Sequence, residues 1–177
     1  MEYMSFNLMI THEPGLENFR FVLAKLRNTG LNYVLVDKGP SVILLKVDDP
    51  YDFTSRIREA VNEIQVIYRV IPIDVVTDPY VEIVAEKSRE LALEKIPVDK
   101  TYRVTLHGRL YWLETRLPAH TMDAIRVIAD KIDRQVSLTH PDYLVYIRSV
   151  KLYHRRRYAT ITVTSPSNII ALKSDKP

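Results

Sequence analysis

Across the first 76 residues the apolar positions change spacing repeatedly between helical and strand-like, and that alternation leaves few folds open. Leu16, Phe19, Val22, Leu23 and Leu26 recur at three and four residues, predicting a helix with one apolar stripe that stops near Gly30. Phe53, Ile57, Ala60, Val61 and Ile64 predict a second helix, opening after Asp49-Pro50. Proline suits that first turn because its missing N–H has no intrahelical partner there. Residues 6–10, 33–36, 42–47 and 66–76 read as strands, the middle two joined by the turn-forming Asp37-Lys38-Gly39-Pro40-Ser41.

The resulting order, β-α-β-β-α-β, is the ferredoxin-like arrangement, in which two helices cover one face of an antiparallel sheet. A second unit follows. Asp78-Pro79 repeats the helix-start signal ahead of a stripe of Val81, Val84, Ala85, Ser88, Leu91 and Ala92. Tyr102, Val104 and Leu106 alternate with Arg103, Thr105 and His107, as a half-buried strand requires. Pro118 begins another helical region, with Met122, Ile125, Ala129, Ile132 and Val136 expected to line its inner side. Residues 143–150 and 158–164 close the chain as strands. In the last of these Ala159, Ile161 and Val163 face one way, and Tyr158, Thr160, Thr162 and Thr164 the other. The expected class is α+β: an N-terminal ferredoxin-like βαββαβ unit over residues 1–74, followed by an α/β unit over residues 75–177.

Charge divides unevenly along the chain. Residues 1–100 hold 12 Lys/Arg and 16 Asp/Glu, a balance of −4, whereas residues 101–177 hold 13 and 6, a balance of +7. A positive region on an otherwise acidic chain attracts polyanions, and neighbouring tyrosines can add stacking. The centre of this region is Arg155-Arg156-Arg157, bracketed by Tyr153 and Tyr158. Arg148 and Lys151 precede it, and Arg103, His107 and Arg109 alternate onto one strand face where they could track successive phosphates. Arg116 lies nearby in the connection that holds Trp112, which could stack on a base but is better placed to anchor its loop. These eleven residues — Arg103, His107, Arg109, Arg116, Arg148, Lys151, Tyr153, Arg155, Arg156, Arg157 and Tyr158 — form the expected RNA-binding set. The competing reading is a hairpin kept soluble by charge, on a structural or protein-interaction scaffold whose sheet edge pairs with a partner or a second copy.

Other chemistry finds little support. Cysteine is absent, which removes disulfides and thiolate nucleophiles. The five histidines are scattered, and no two have the H-x-x-x-H spacing that sets two metal ligands on one helical face. The four glycines are too far apart to build a phosphate-cradling loop. No catalytic residue, metal or cofactor is therefore expected, and the chain is read as a non-enzyme. No apolar run approaches the roughly 20 residues of a membrane span, and the first nine residues carry Glu2 without a basic group. The cytoplasm is the expected location.

Three segments resemble the THUMP domain of RNA-modifying systems. They are residues 102–109 (Tyr-Arg-Val-Thr-Leu-His-Gly-Arg), 128–132 (Ile-Ala-Asp-Lys-Ile) and 136–147 (Val-Ser-Leu-Thr-His-Pro-Asp-Tyr-Leu-Val-Tyr-Ile). Arg109 matches the family's basic strand end, Pro141-Asp142 its turn, and residues 143–150 the strand that follows. Ala129-Asp130 stands where the family usually has a glycine early in the motif helix. The resemblance covers about residues 75–165 and implies binding of tRNA or other structured RNA, with a ferredoxin-like domain ahead of it helping to grip the acceptor end. Because no catalytic domain follows the motif, the chain is most similar to the stand-alone THUMP adaptor of tRNA cytidine acetylation. The resemblance thus implies tRNA modification carried out by a separate enzyme to which the RNA is presented.

Overall fold

A computed structural model of the chain describes residues 6–154 and 156–172. They divide into two compact units. Residues 6–73, 152–154, 156 and 167–172 form the first, and residues 74–151 and 157–166 form the second.

The first unit runs β1 (Leu8–His12), α1 (Leu16–Asn28), β2 (Val34–Gly39), β3 (Val42–Lys46), α2 (Pro50–Asn62) and β4 (Ile67–Pro72), and is completed by β10 (Ile170–Ala171). Its sheet has the order β10-β4-β1-β3-β2, and every neighbouring pair is antiparallel. Leu8, Ile10, Ile43 and Leu45 from the sheet pack with Phe19, Val22, Leu26, Phe53, Ile57 and Val61 from the two helices. The start of α2 follows the sequence signal: the Asp49 carboxylate accepts hydrogen bonds from the N–H groups of Tyr51 (3.0 Å) and Asp52 (3.1 Å). The first strand lies two residues later than expected. Thr11 and His12 are both buried, and a register shift against β4 between them lets pairing continue to His12.

The second unit runs β5 (Val75–Thr77), α3 (Val81–Lys95), β6 (Thr101–His107), α4 (Thr121–Asp130), β7 (Gln135–Val136), β8 (Tyr143–Lys151) and β9 (Arg157–Thr164). Its sheet has the order β5-β9-β8-β6-β7, with β6 parallel to both β7 and β8, and β9 antiparallel to β8 and β5. Tyr102, Val104, Val145, Ile147, Ala159, Ile161 and Val163 share a core with Val81, Val84, Ala85, Ala92, Ala124 and Ile128. The apolar run 66–76 is thus two strands, β4 in one sheet and β5 in the other.

Two expectations need correction here. The inner side of α4 is centred on Ala124 and Ile128, and Met122 is 56% exposed. The helix stops at Asp130, so Val136 lies beyond it in the edge strand β7 and is exposed. The second unit is expected to run over residues 75–177, but Ile170 and Ala171 pair with Val70 and Arg69 of β4 in the first sheet. A short apolar run gains most by adding to an available sheet edge, whatever its position in the chain.

Candidate nucleic-acid interface

Because β5, β6 and β8 run parallel to one another, their C-terminal ends lie at the same end of the second sheet. That end receives the start of α3, which follows β5, and the start of α4, which follows β6 through residues 108–120. Neither helix has a side-chain cap at its N-terminus. Both helix dipoles add partial positive charge at this end, offset in part by Glu82 and Asp123 in their first turns.

Six residues of the expected set reach this end: His107, Arg109, Arg116, Arg148, Lys151 and Arg157. His107 is the register partner of Arg148, and Lys151 that of Arg157. Arg109 and Lys151 are exposed, and among the described residues neither side chain forms an ion pair. The His107 ring lies 5.3 Å from that of Tyr146, whose hydroxyl accepts a hydrogen bond from Arg148 Nη1 (3.3 Å).

Backbone geometry fixes the connection that carries Arg109 and Arg116. Gly108 has φ +87°, and a Cβ at this position would stand 2.5 Å from the Ser149 carbonyl oxygen, so β6 can end tight against β8 only with glycine here. The chain then folds back on itself through Trp112 N–H to Leu117 O (2.9 Å) and Ala119 N–H to Leu110 O (2.8 Å). Tyr111 N–H donates to Pro79 O and Tyr111 O accepts from Val81 N–H, each at 2.9 Å, and the Glu82 carboxylate accepts from Leu113 N–H at 3.0 Å. Trp112 is half-buried against the core of this unit, the position of a loop anchor. Arg116 adopts the left-handed conformation at φ 63°, with its guanidinium 4.5 Å from the centre of the Tyr80 ring and a hydrogen bond to the Tyr80 hydroxyl. Arg157 lies 5.9 Å from the Tyr111 ring centre. Tyr80 and Tyr111, bridged through their backbones, place two arginine–tyrosine pairs side by side. Neither tyrosine was singled out from the sequence, although Tyr111 stands two residues from Arg109 and Tyr80 directly follows Asp78-Pro79.

The other expected residues do not join this group. Arg103 lies four residues back along β6, and its Nη1 donates to Leu138 O at 3.0 Å. Arg109 does not extend the alternation of Arg103 and His107, because β6 ends at His107 and the positive φ of Gly108 redirects the chain. Tyr158 is only 3% exposed, which removes it from the stacking residues: its ring is buried rather than presented. Thr160, Thr162, Thr164 and Tyr146 on the same sheet face are buried as well, so that face is closed along β9 and opens only towards β6, where Arg103 is exposed and His107 partly exposed. Tyr153 (56% exposed) and Arg156 (exposed) fall in the first unit, where His154 Nε2 lies 2.8 Å from Asp37 Oδ2. Arg155 lies outside the described residues.

The Pro141-Asp142 turn has a structural task. Asp142 Oδ2 accepts from Thr101 N–H (2.9 Å) and from Thr101 Oγ1 (3.1 Å), tying the starts of β6 and β8 together. The Thr101 N–H bond, reinforced by the hydroxyl, holds the Asp142 carboxyl below its usual range. In the first unit, a cavity of about 160 Å³ beside the start of α2 is lined by Asp48, Asp49 and Asp52, which repel a polyanion. Among the described residues no group of three or more His, Asp or Glu side chains is placed to hold a metal ion. No helix among them is long and apolar enough to cross a membrane.

No protein-family model matches the chain, and neither does any curated protein. Solved structures do match across both units. PH1313 from Pyrococcus horikoshii Ot3 is similar with a TM-score of 0.55 at 14% identity, over 91% of this chain and 55% of that one. A 4-thiouridine synthetase, solved in complex with RNA and with bound ATP, has a TM-score of 0.53 at 12% identity, over 91% of this chain and 42% of that one. TrmN from Thermus thermophilus has a TM-score of 0.52 at 14% identity, over 90% and 45%. The chain spans about half the length of these proteins. At such identities the likeness defines a shared α+β fold of two sheets with helices.

Proposed function

We propose that this chain is an RNA-binding module, a ferredoxin-like unit joined to a THUMP-like unit, that binds tRNA and presents it to a separate modification enzyme. The observation that carries the reading is the convergence of His107, Arg109, Arg116, Arg148, Lys151 and Arg157 on the sheet end that also receives two helix N-termini without side-chain caps. Phosphates take charge-assisted hydrogen bonds from guanidinium groups and are further favoured by helix N-termini. The order β4-β1-β3-β2 in the first sheet supports the ferredoxin-like assignment. The fold shared with a synthetase solved on RNA supports a nucleic acid as the polyanion. The module contributes no catalytic group: it supplies position and charge, and the chemistry belongs to its enzyme partner, for which a tRNA cytidine acetyltransferase is the first candidate.

The test is tRNA retention on filters over a salt series, for the wild-type chain and for a variant with Arg109, Arg116 and Arg157 changed to alanine. Each lost contact to a single-stranded phosphate lowers the slope of log K against log salt by about 0.7, so the triple change should remove about 2. Wild-type affinity and slope in a triple variant whose circular dichroism is unchanged would remove this interface. Presentation is read separately, by acetylcytidine yield from limiting acetyltransferase, acetyl-CoA and tRNA with and without the chain. An unchanged yield removes the adaptor role and leaves RNA binding intact.

A further inference from the structure

Beyond RNA binding, the second unit offers a strand edge to protein. Ser137 N–H donates to Tyr102 O at 2.9 Å, so the backbone groups of Tyr102 point towards β7. By alternation those of Val104 and Leu106 point the same way. β7 is only two residues long and pairs with Thr101 and Tyr102 alone. β6 continues for five more residues, 103–107, with no strand beside it on that side among the described residues. The remaining sheet edges are blunted: β2 by a register shift between Leu35 and Asp37, β5 and β10 by lengths of three and two residues.

We propose that this edge of β6 accepts an extended segment of a partner protein in which acidic and apolar residues alternate. The backbone chemistry selects a peptide. Val104 and Leu106 present carbonyl acceptors as well as N–H donors, and a phosphate chain has only acceptors to offer. The side chains select the sequence. Arg103 and His107 stand on one face of the strand, where they meet alternate residues of an added strand, while its other residues fall on the apolar face of Val104 and Leu106. At the rim, Leu138 (67% exposed) and Val136 are left for such a segment to cover. A second copy fits poorly. Antiparallel self-pairing about Thr105 would set Arg103 opposite His107 of the copy, and residues 103–107 carry no carboxylate to meet either guanidinium.

The experiment uses the full chain with two blocked octapeptides, one of alternating Glu and Val and one of alternating Lys and Val. Amide hydrogen exchange is followed by NMR. In the free protein the amides of Val104 and Leu106 should exchange quickly compared with Val145 and Ile161. The Glu-Val peptide should slow them at least about tenfold, and the Lys-Val peptide should not. The double change Arg103→Glu and His107→Glu should reverse that preference, and the two peptides on wild-type protein decide the question even if this variant fails to fold. Protection in the free chain, equal effects of both peptides, protection that grows with protein concentration, or protection by tRNA but not by peptide would each overturn the proposal.

Discussion

Replacing Gly108 with alanine should be among the most damaging single-methyl additions to the second unit. Its φ of +87° lies where alanine costs about 1–2 kcal/mol. The new Cβ would also stand 2.5 Å from Ser149 O and 3.1 Å from Ser149 Cβ, and backbone cannot swing aside as a side-chain tip can. Overpacking of this kind costs a further 1–3 kcal/mol or so, giving about 2–5 kcal/mol against a typical domain stability of about 5–15. Gly30 supplies the control, with φ +72° and nothing within 4 Å of an added Cβ, so Gly30→Ala should cost only the conformational part. Urea unfolding can separate the two. Trp112, the single tryptophan, packs on the core of the second unit and reports its unfolding by fluorescence, and far-UV circular dichroism follows the chain as a whole. With a urea m-value near 2 kcal/mol/M, Gly108→Ala should lower the midpoint by about 1–2.5 M and Gly30→Ala by under about 1 M. RNA affinity should fall in Gly108→Ala as well, since Arg109 and the loop beyond it leave β6 through this residue. A Gly108→Ala midpoint shift no larger than that of Gly30→Ala would refute the close approach of β6 to β8.

Three further outcomes can be checked with the same material. Tyr102→Phe removes a buried hydroxyl that donates to Ala129 O at 3.1 Å, and should cost about 1 kcal/mol by urea unfolding without altering RNA affinity. His12 is fully buried, and burial holds its pKa below the ordinary value near 6.5 despite a 2.7 Å contact between Nδ1 and Glu13 O. A histidine kept neutral by folding contributes stability that is full above its unfolded pKa and lost as pH falls below it. Unfolding midpoints of the wild-type chain should therefore drop between pH 7.5 and pH 5, and His12→Gln should flatten that dependence. Asp142→Asn should speed amide exchange at Thr101. The lowered pKa of Asp142 adds stability that is complete above the ordinary carboxylate range and lost as pH falls through the folded value, so the variant should also lose part of the wild-type acid sensitivity below about pH 4.

The elements themselves were largely legible in the sequence, because their signals are local. Asp49-Pro50 marked the start of α2, and the alternation of Tyr102, Val104 and Leu106 marked the core face of β6. Period-two alternation tells which residues share a face, but not whether that face meets solvent. Thr160, Thr162 and Thr164 therefore read only as the face opposite Ala159, Ile161 and Val163, and Tyr158 as a presented ring, although all four are buried. A threonine can be buried when its hydroxyl finds a partner, as Thr160 Oγ1 does at Arg148 O (3.1 Å). The phase of α4 was lost for a related reason: apolar residues occupy several of its sides, and the one that is buried is set by small Ala124 in the core shared with Ala85 and Ala92 of α3. Strand partners chosen at long range, β10 on β4 and β5 on β9, leave no mark in runs of two or three residues. The basic residues were visible as charge, but their grouping was not. Parallel pairing of β6 with β8 brought His107 beside Arg148, and a single positive φ turned Arg109 away from the face of Arg103.

The central claim is that RNA lies against the C-terminal ends of β5, β6 and β8. Ultraviolet crosslinking of the full chain to tRNA, followed by mass spectrometric mapping of the nucleotide-bearing peptides, addresses it directly. Binding there should concentrate crosslinks in residues 78–82 and 107–120 and around Arg148, Lys151 and Arg157, with Tyr80 and Tyr111 among the modified side chains, and they should fade as salt rises. Crosslinks confined to other surfaces of the chain, or none at low salt where a polyanion should bind most tightly, would contradict it.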